Sequence, residues 1–299
     1  MPLIPPQVLN CCFYLYKTKG DARSGRPFGG TGFLLAVPSQ VDERVFHTFG
    51  VTNWHVAVRD GCSVIRVNKV GGGVDILDRD PSEWIFRSKW HDLAIIGMPD
   101  TDEAMTAIHR QMLLSREETA ALEIWSGADV FMVGRFVDHD GRSTNHPSVR
   151  FGHISVMPVS GITQPTGATL ESYVLDVHSR TGYSGSPTFV YRTLGEDLRR
   201  SMMVTGPGTV FVKLLGVHWG QFPEKWKLTA TGKVKPSSQP RRFIGEAEIE
   251  GLSGMTCAVP SWALLELLDD DPKAKAFLAA KEETLHARLG RDGQHPMGE

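Results

Sequence analysis

The 299-residue chain reads as an all-β protein of two domains, each with about six antiparallel strands, a helical connector between them and helices at the C-terminal end. Three observations lead there. Short apolar segments recur at close intervals, punctuated by Gly, Pro and Asp, as in a barrel or sandwich. A polar stretch rich in Ala and Glu, 101–122, interrupts them once. The apolar segments then resume in similar number and give way to two stretches of helical character.

The expected strands of the first domain are Val8–Tyr16, Thr31–Val37, Val45–Thr52, Cys62–Lys69, Val74–Leu77 and Leu93–Met98. Thr101–Leu114 and Ser115–Leu122 read as the helical connector. Ser115-Arg116-Glu117-Glu118 has the spacing of a capping box. The second domain is expected to hold strands at Asp129–Phe136, Ser148–Met157, Ser172–Val177, Pro187–Tyr191, Thr209–His218 and Met255–Val259. Ser261 has the position of a helix N-cap before Trp262–Leu268, and Asp271–Leu289 reads as a further charged helix. The stretches 192–208 and 221–253 read as surface loops. The second is basic, with Lys225, Lys227, Lys233, Lys235, Arg241 and Arg242. The domain boundaries follow: 1–100, a connector at 101–122, 123–268, and a charged helical tail at 269–299.

Formal net charge is −2, so no overall field favours nucleic acid or a membrane surface. No apolar run approaches the length of a spanning helix. The start, Met1-Pro2-Leu3-Ile4-Pro5-Pro6, has no basic segment and is broken by prolines, so no secretion signal is expected. Cys11, Cys12, Cys62 and Cys257 fit neither zinc spacing nor a disulfide framework. Free thiols and a cytoplasmic location are expected. No metal or cofactor is expected, because nucleotide-binding and zinc motifs are absent.

Three segments carry chemistry. Gly182-Tyr183-Ser184-Gly185-Ser186-Pro187 places a serine between glycines on a tight turn, with the amides of Gly182 and Ser184 able to converge on one oxygen. Thr52-Asn53-Trp54-His55-Val56-Ala57 sets a histidine where a strand ends in a short helical turn. His91-Asp92-Leu93-Ala94-Ile95-Ile96 sets an aspartate just before a buried strand. A serine hydroxyl is a weak nucleophile at neutral pH and needs a histidine to take its proton. The histidine needs a carboxylate to hold its tautomer and stabilise its cation.

On these segments, with Gly30-Thr31-Gly32-Phe33-Leu34-Leu35 and Gly216-Val217-His218-Trp219-Gly220, the chain resembles the trypsin-like, chymotrypsin-fold serine proteases over about residues 8–268. The resemblance implies two six-stranded barrels with the active site in the cleft between them. It implies His55 as general base then acid, Asp92 as its orienting partner and Ser184 as nucleophile, with the Gly182 and Ser184 amides as oxyanion hole. It also implies substrate pairing along His218-Trp219-Gly220 and pocket walls from Ser179–Thr181 and 218–220. The partner would be a protein or peptide substrate.

Gly-Val-His-Trp-Gly is similar to the Gly-Ile-His-Trp-Gly of glutamyl endopeptidases. There the histidine, with a hydroxyl five residues before the nucleophile, holds a substrate carboxylate; His218 and Ser179 match, and a preference for acidic residues before the cut is implied. His178, not aspartate, stands six residues before Ser184, which argues against a tryptic pocket. Tyr183 stands where digestive members carry the aspartate that pairs with a newly cut N-terminus, and no Ile-Val-Gly-Gly start is present. The turn is therefore expected to form without N-terminal cleavage, as in bacterial stress-type relatives with Gly-Asn-Ser-Gly-Gly-Pro. Two alternatives stand beside an active endopeptidase: an effector switched on by an activating protein partner, and a silent binding module of the same fold.

Overall fold

The computed structural model describes residues 3–69, 71–87, 91–99, 106–139, 144–163, 169–193, 211–227 and 248–292. Seven strands form the N-terminal sheet: β1 (Cys12–Tyr16), β2 (Gly30–Pro38), β3 (Phe46–Thr52), β4 (Val64–Asn68), β5 (Val74–Leu77), β6 (Ala94–Gly97) and the two-residue β7 (Ile108–His109). Six more, β8 (Asp129–Gly134), β9 (Ser148–Thr163), β10 (Thr169–Asp176), β11 (Pro187–Arg192), β12 (Phe211–Lys227) and β13 (Glu248–Pro260), form the second unit. The helices are α1 (Pro6–Leu9), α2 (Lys19–Ser24), α3 (Arg116–Ala121), α4 (Ser261–Asp270) and α5 (Pro272–Asp292).

The C-terminal unit is a closed antiparallel barrel, ordered β10-β13-β12-β11-β8-β9. The N-terminal unit departs from the expected six-stranded barrel. Its order is β5-β4-β1-β2-β3-β6, with β7 beside β2, and β5 and β6 do not pair among the described residues. The seam is filled by side chains rather than by a ladder. β5 is only four residues long and half-exposed. Ile85 makes a two-bond bridge to Ile95 on β6 (2.7 and 2.8 Å). Buried Trp84 enters the core and donates from Nε1 to Ser63 Oγ at 2.6 Å.

Strand alternation sorts most of the core into three clusters, with a small fourth of Tyr14, Tyr16, Ala22 and Val64. Phe13, Leu15, Leu34, Ile65, Val67 and Ile96 fill the inside of the N-terminal sheet. Val130, Met132, Tyr173, Leu175, Leu215 and Ala258 fill the barrel. The opposite faces, with Phe33, Leu35, Phe49 and Ile95 from one unit and Phe131, Val133, Phe189 and Val217 from the other, pack against each other between the units. These strands bury both faces, so their sequences run apolar without a polar alternate.

The connector is not helical throughout. Ile108–His109 pairs with β2, Arg110–Met112 is a 3-10 turn and only Arg116–Ala121 is α-helix; residues 101–105 lie outside the described ones. The Ser115 capping box is present. Val8–Leu9 is helical, and the strand starts at Cys12. Ser261 does not cap α4, which begins at Ser261 after Pro260; its hydroxyl instead receives the Leu114 N–H at 3.1 Å and donates to the Leu114 carbonyl at 2.8 Å. Residues 221–227 and 248–253 are strand rather than loop, because β12 and β13 continue as a paired ribbon. The remainder of the two expected loops, 194–208 and 228–247, lies outside the described residues, as do 209–210 of the expected Thr209–His218 strand. All four cysteines are free, buried thiols. Among the described residues no helix is long and apolar enough to cross a membrane.

The expected C-terminal tail returns to the N-terminal sheet. The α5 residue Phe277 packs on Phe49 with ring centroids 4.9 Å apart, and its ring lies where a side chain at Gly97 would stand. Glu282 accepts from the Gln40 amide at 2.9 Å, Ser39 Oγ at 2.7 Å and His47 Nε2 at 2.9 Å. Removal of the ring leaves a cavity against β3 and β6. Phe277→Ala is expected to lower the unfolding free energy by about 2–4 kcal/mol in a denaturant titration.

Candidate active site

His55 opens a five-residue π turn, His55–Arg59, at the end of β3. Asp92 precedes β6, and β6 is hydrogen-bonded to β3, so the sheet brings the two residues together. The His55 backbone N–H donates to Asp92 Oδ1 at 2.9 Å. His55 Nδ1 stands 2.8 Å from Asp92 Oδ2 and 3.0 Å from Oδ1. A carboxylate only accepts, so the proton sits on Nδ1 and Nε2 carries the lone pair. Asp92 is 2% exposed and has φ +44°, a left-handed conformation that aspartate tolerates better than most residues. Asn53 Nδ2 holds it there by donating to the Asp92 carbonyl at 2.9 Å.

Ser184 lies on the turn ahead of β11. Gly182 and Gly185 both have positive φ, +100° and +88°. A Cβ at Gly185 would stand 2.0 Å from the Thr31 carbonyl oxygen, and one at Gly182 would stand 2.3 Å from Val137, so only glycine fits either place. The turn uses its inner amides on itself and its neighbours. Tyr183 N donates to the Arg180 carbonyl (3.2 Å), Gly185 N to that of His218 (2.9 Å) and Ser186 N to that of Tyr183 (2.9 Å). The amides of Gly182 and Ser184 donate to no backbone carbonyl among the described residues. They are the two expected to face an oxyanion.

Thr31 on β2 ties this turn to the N-terminal sheet. Its N–H donates to the Ser184 carbonyl at 2.8 Å and its hydroxyl to the Gly182 carbonyl at 2.7 Å. The same hydroxyl accepts the Arg135 N–H at 2.9 Å. Buried Arg135 reaches the carbonyls of Phe28 and Arg26 (2.7 and 2.6 Å), which fixes the loop at the cleft rim. Thr31 was quoted in the sequence pattern but carried no role there. Its flanking glycines were the available signal.

Tyr183 is fully buried inside the barrel, its hydroxyl bonded to Ser148 Oγ and the Arg150 guanidinium lying 5.9 Å from its ring centre. Beneath it, His218 is 2% exposed. His218 Nδ1 donates to the Tyr183 carbonyl at 3.1 Å, Nε2 is closed to solvent, and the Gly220 backbone also acts on the ring. Burial, helped by the nearby His55, lowers its pKa to about 4.

A cleft of about 290 Å³ joins these parts, lined on one side by Phe28, His55 and Cys62 and on the other by Arg180, Gly182, Ser184, His218 and Gln221. His55, Ser184, Gly182, Thr181, His218 and Gly220 all reach it. Ser179 is buried behind the wall and donates from Oγ to Gln221 Oε1 at 2.9 Å. The Trp219 indole turns into the core between the units and donates to Ser172 Oγ at 2.9 Å, which leaves only its backbone for the expected substrate pairing. His218 and Trp219 are successive strand residues, so their side chains face opposite sides of β12. Arg180 lies within the expected Ser179–Thr181 wall; Gln221, a cleft residue that sequence reasoning did not select, becomes visible only when the turn is placed beside β12. Among the described residues no cluster of His, Cys, Asp or Glu is placed to hold a metal ion.

No protein-family model matches the chain, and no curated protein matches it. Among solved structures it is similar to the MamO protease domain from Magnetospirillum magneticum in the apo form, at 14% identity over 88% of this chain and 98% of that one, with a TM-score of 0.49. It is also similar to the HtrA-type protease AlgW with a decapeptide, at 15% identity over 89% of this chain and 66% of that one, with a TM-score of 0.45. The Rv3671c protease of M. tuberculosis H37Rv, in an inactive form, gives 15% identity over 88% of this chain and 89% of that one, with a TM-score of 0.43. None of these likenesses is close enough to say what the chain does.

Two outcomes test this packing. Tyr183→Phe removes one hydrogen bond and is expected to cost about 1 kcal/mol, whereas Tyr183→Ala empties a core site and costs about 3–5 kcal/mol. His218 is neutral in the fold, while in the unfolded chain it takes a proton below about pH 6.5. Stability is therefore lost as pH falls from about 6.5 towards the folded value, by about 3 kcal/mol in all. Unfolding titrations across that window should show a smaller pH dependence, by about this amount, in His218→Gln.

Proposed function

We propose that the chain is a serine endopeptidase that cuts peptide bonds through an acyl-enzyme. Ser184 is the nucleophile, His55 takes its proton and then returns it to the leaving amine, and Asp92 stabilises the imidazolium. The amides of Gly182 and Ser184 receive the oxyanion. One observation carries the reading. Asp92 holds a proton on His55 Nδ1, so the lone pair of the neutral ring is on Nε2, and the ring shares a cleft with a serine whose own turn keeps two amides uncommitted.

The preference for acidic side chains that the glutamyl endopeptidase likeness implies rests on His218 and Ser179. Both have their protons directed elsewhere, to the Tyr183 carbonyl and to Gln221 Oε1. The site therefore supports the peptide-bond chemistry more strongly than it supports that preference.

One observation favours a second reading, in which a protein partner switches the enzyme on. No hydrogen bond joins Ser184 Oγ to His55 among the described contacts, so a closing step must precede proton transfer. Substrate binding supplies such a step in many enzymes; a partner could supply it here. A purified chain that cleaves peptides at full rate without a partner sinks the second reading.

Fluorophosphonate should label the wild-type chain and not Ser184→Ala. Ser184→Ala and His55→Ala should each lose about 10⁶ in kcat, as expected for residues that act as a unit. Asp92→Asn should lose about 10⁴. Labelling that persists in Ser184→Ala would remove the nucleophile assignment.

A further inference from the structure

We infer that the end of the cleft away from β12 is a recognition surface, cations seated on aromatic rings, that takes acidic side chains on the half of the substrate after the cut. This rests on the endopeptidase reading above and names a feature of its substrates. The acyl half of a substrate is expected to pair along His218-Trp219-Gly220, so the amine half leaves at the opposite end, past His55. Arg135 joins the two walls there. It follows β8 in the barrel and donates to the Phe28 carbonyl of the other wall at 2.7 Å. The residues after it reach the serine turn: a Cβ added at Gly182 would stand 2.3 Å from the Val137 side chain. Phe136, between Arg135 and Val137, and Phe28 are the rings of this end.

Each ring holds cations. Lys17 Nζ lies 5.1 Å from the centre of the Phe28 ring. The guanidinium carbons of Arg150 and Arg180 lie 5.7 and 5.9 Å from the centre of the Phe136 ring. Arg180 also lines the cleft. An aromatic face steadies a cation and leaves its N–H donors for a carboxylate. The acids nearby are engaged elsewhere. Asp60, which lines the cleft, is paired with Arg59 at 2.8 Å, and Asp21 with Arg26 at 3.1 Å. Asp138, exposed two residues past Phe136, forms no ion pair with Lys17, Arg150 or Arg180, and among the described residues no other carboxylate does. The charge is felt inside the cleft. Burial and Asp60 push the Cys62 thiol of its wall up to about 11, while Lys17 and Arg135 act against them. An acidic side chain passing over this end meets opposite charge from both walls, and a lysine meets like charge.

A peptide library made from a digested proteome, cut by the wild-type chain and read at each new terminus by mass spectrometry, tests this whatever residue precedes the cut. At low ionic strength Asp and Glu should be enriched about threefold over their library frequency in the few positions after the cut, and Lys and Arg depleted. The enrichment should fall towards unity in about 0.5 M salt, which screens charges at a surface. It should also be lost when Lys17→Gln, Arg150→Gln and Arg180→Gln are combined. The wild-type profile and its salt dependence stand whether or not that variant folds. No acidic enrichment after the cut, enrichment that survives high salt or the triple substitution, acidic enrichment only before the cut, or fluorophosphonate labelling of Ser184 with no peptide cut, each overturns the inference and leaves the nucleophile in place. Failure of the labelling itself overturns the endopeptidase reading and this inference with it.

Discussion

The rest of the structure hangs on the hydrogen-bonded junction at Thr31. The residue belongs to the N-terminal sheet, yet its N–H and hydroxyl both hold carbonyls of the serine turn in the barrel. Its own carbonyl accepts the Thr52 hydroxyl at 2.7 Å, three residues before His55. One fully buried residue, through its backbone and its hydroxyl, therefore sets the serine turn and the histidine turn against each other. A net hydrogen bond contributes only about 1 kcal/mol, but a buried partner left unmet costs more, so the junction tolerates one arrangement of the two units. Valine would fill the same space and lose both roles of the hydroxyl, which donates to Gly182 and accepts from Arg135.

Around that junction the protons are directed with a consistent sense. Carbonyls of the turn point inward, where Thr31, Ser186 and His218 meet them. The Gly182 and Ser184 amides are left over on the cleft side. The polarity of the turn is fixed by these inner bonds and by Tyr183, whose ring is sunk in the barrel. No buried ion pair is needed to hold it, which spares the desolvation cost that such a pair carries. The same logic reaches His218, whose Nδ1 proton is held by the Tyr183 carbonyl of the turn.

Much of the site was legible in the chain because its constraints are local. A serine between glycines, a histidine at a strand end and an aspartate before a buried strand are each demanded by backbone geometry within a few residues. The capping box at Ser115 was legible for the same reason. The misread parts are non-local. Ile108–His109 looked helical in a polar stretch, but β2 had a free edge for it. Ser261 has a cap's position, but Leu114 needed its hydroxyl more. The N-terminal barrel was counted from its strands, and whether they close depends on a seam that Trp84 and Ile85 fill instead.

The sequence by itself determined that the chain is β-rich, that it carries the Ser184, His55 and Asp92 segments, and that Ser184 lies between glycines on a tight turn. Those follow from periodicity and from the backbone freedom of glycine; that only glycine fits there was decided by the contacts around the turn. Tertiary structure alone decided that Trp219 turns into the core, where its indole reaches Ser172, and that His218 lines the cleft, because which face of β12 is buried depends on what packs against it. It decided that α5 returns to β3 and β6 through Phe277 and Glu282. It also decided the tautomer of His218, since a proton's place depends on which carbonyl lies within reach, and that carbonyl is 35 residues away in the chain.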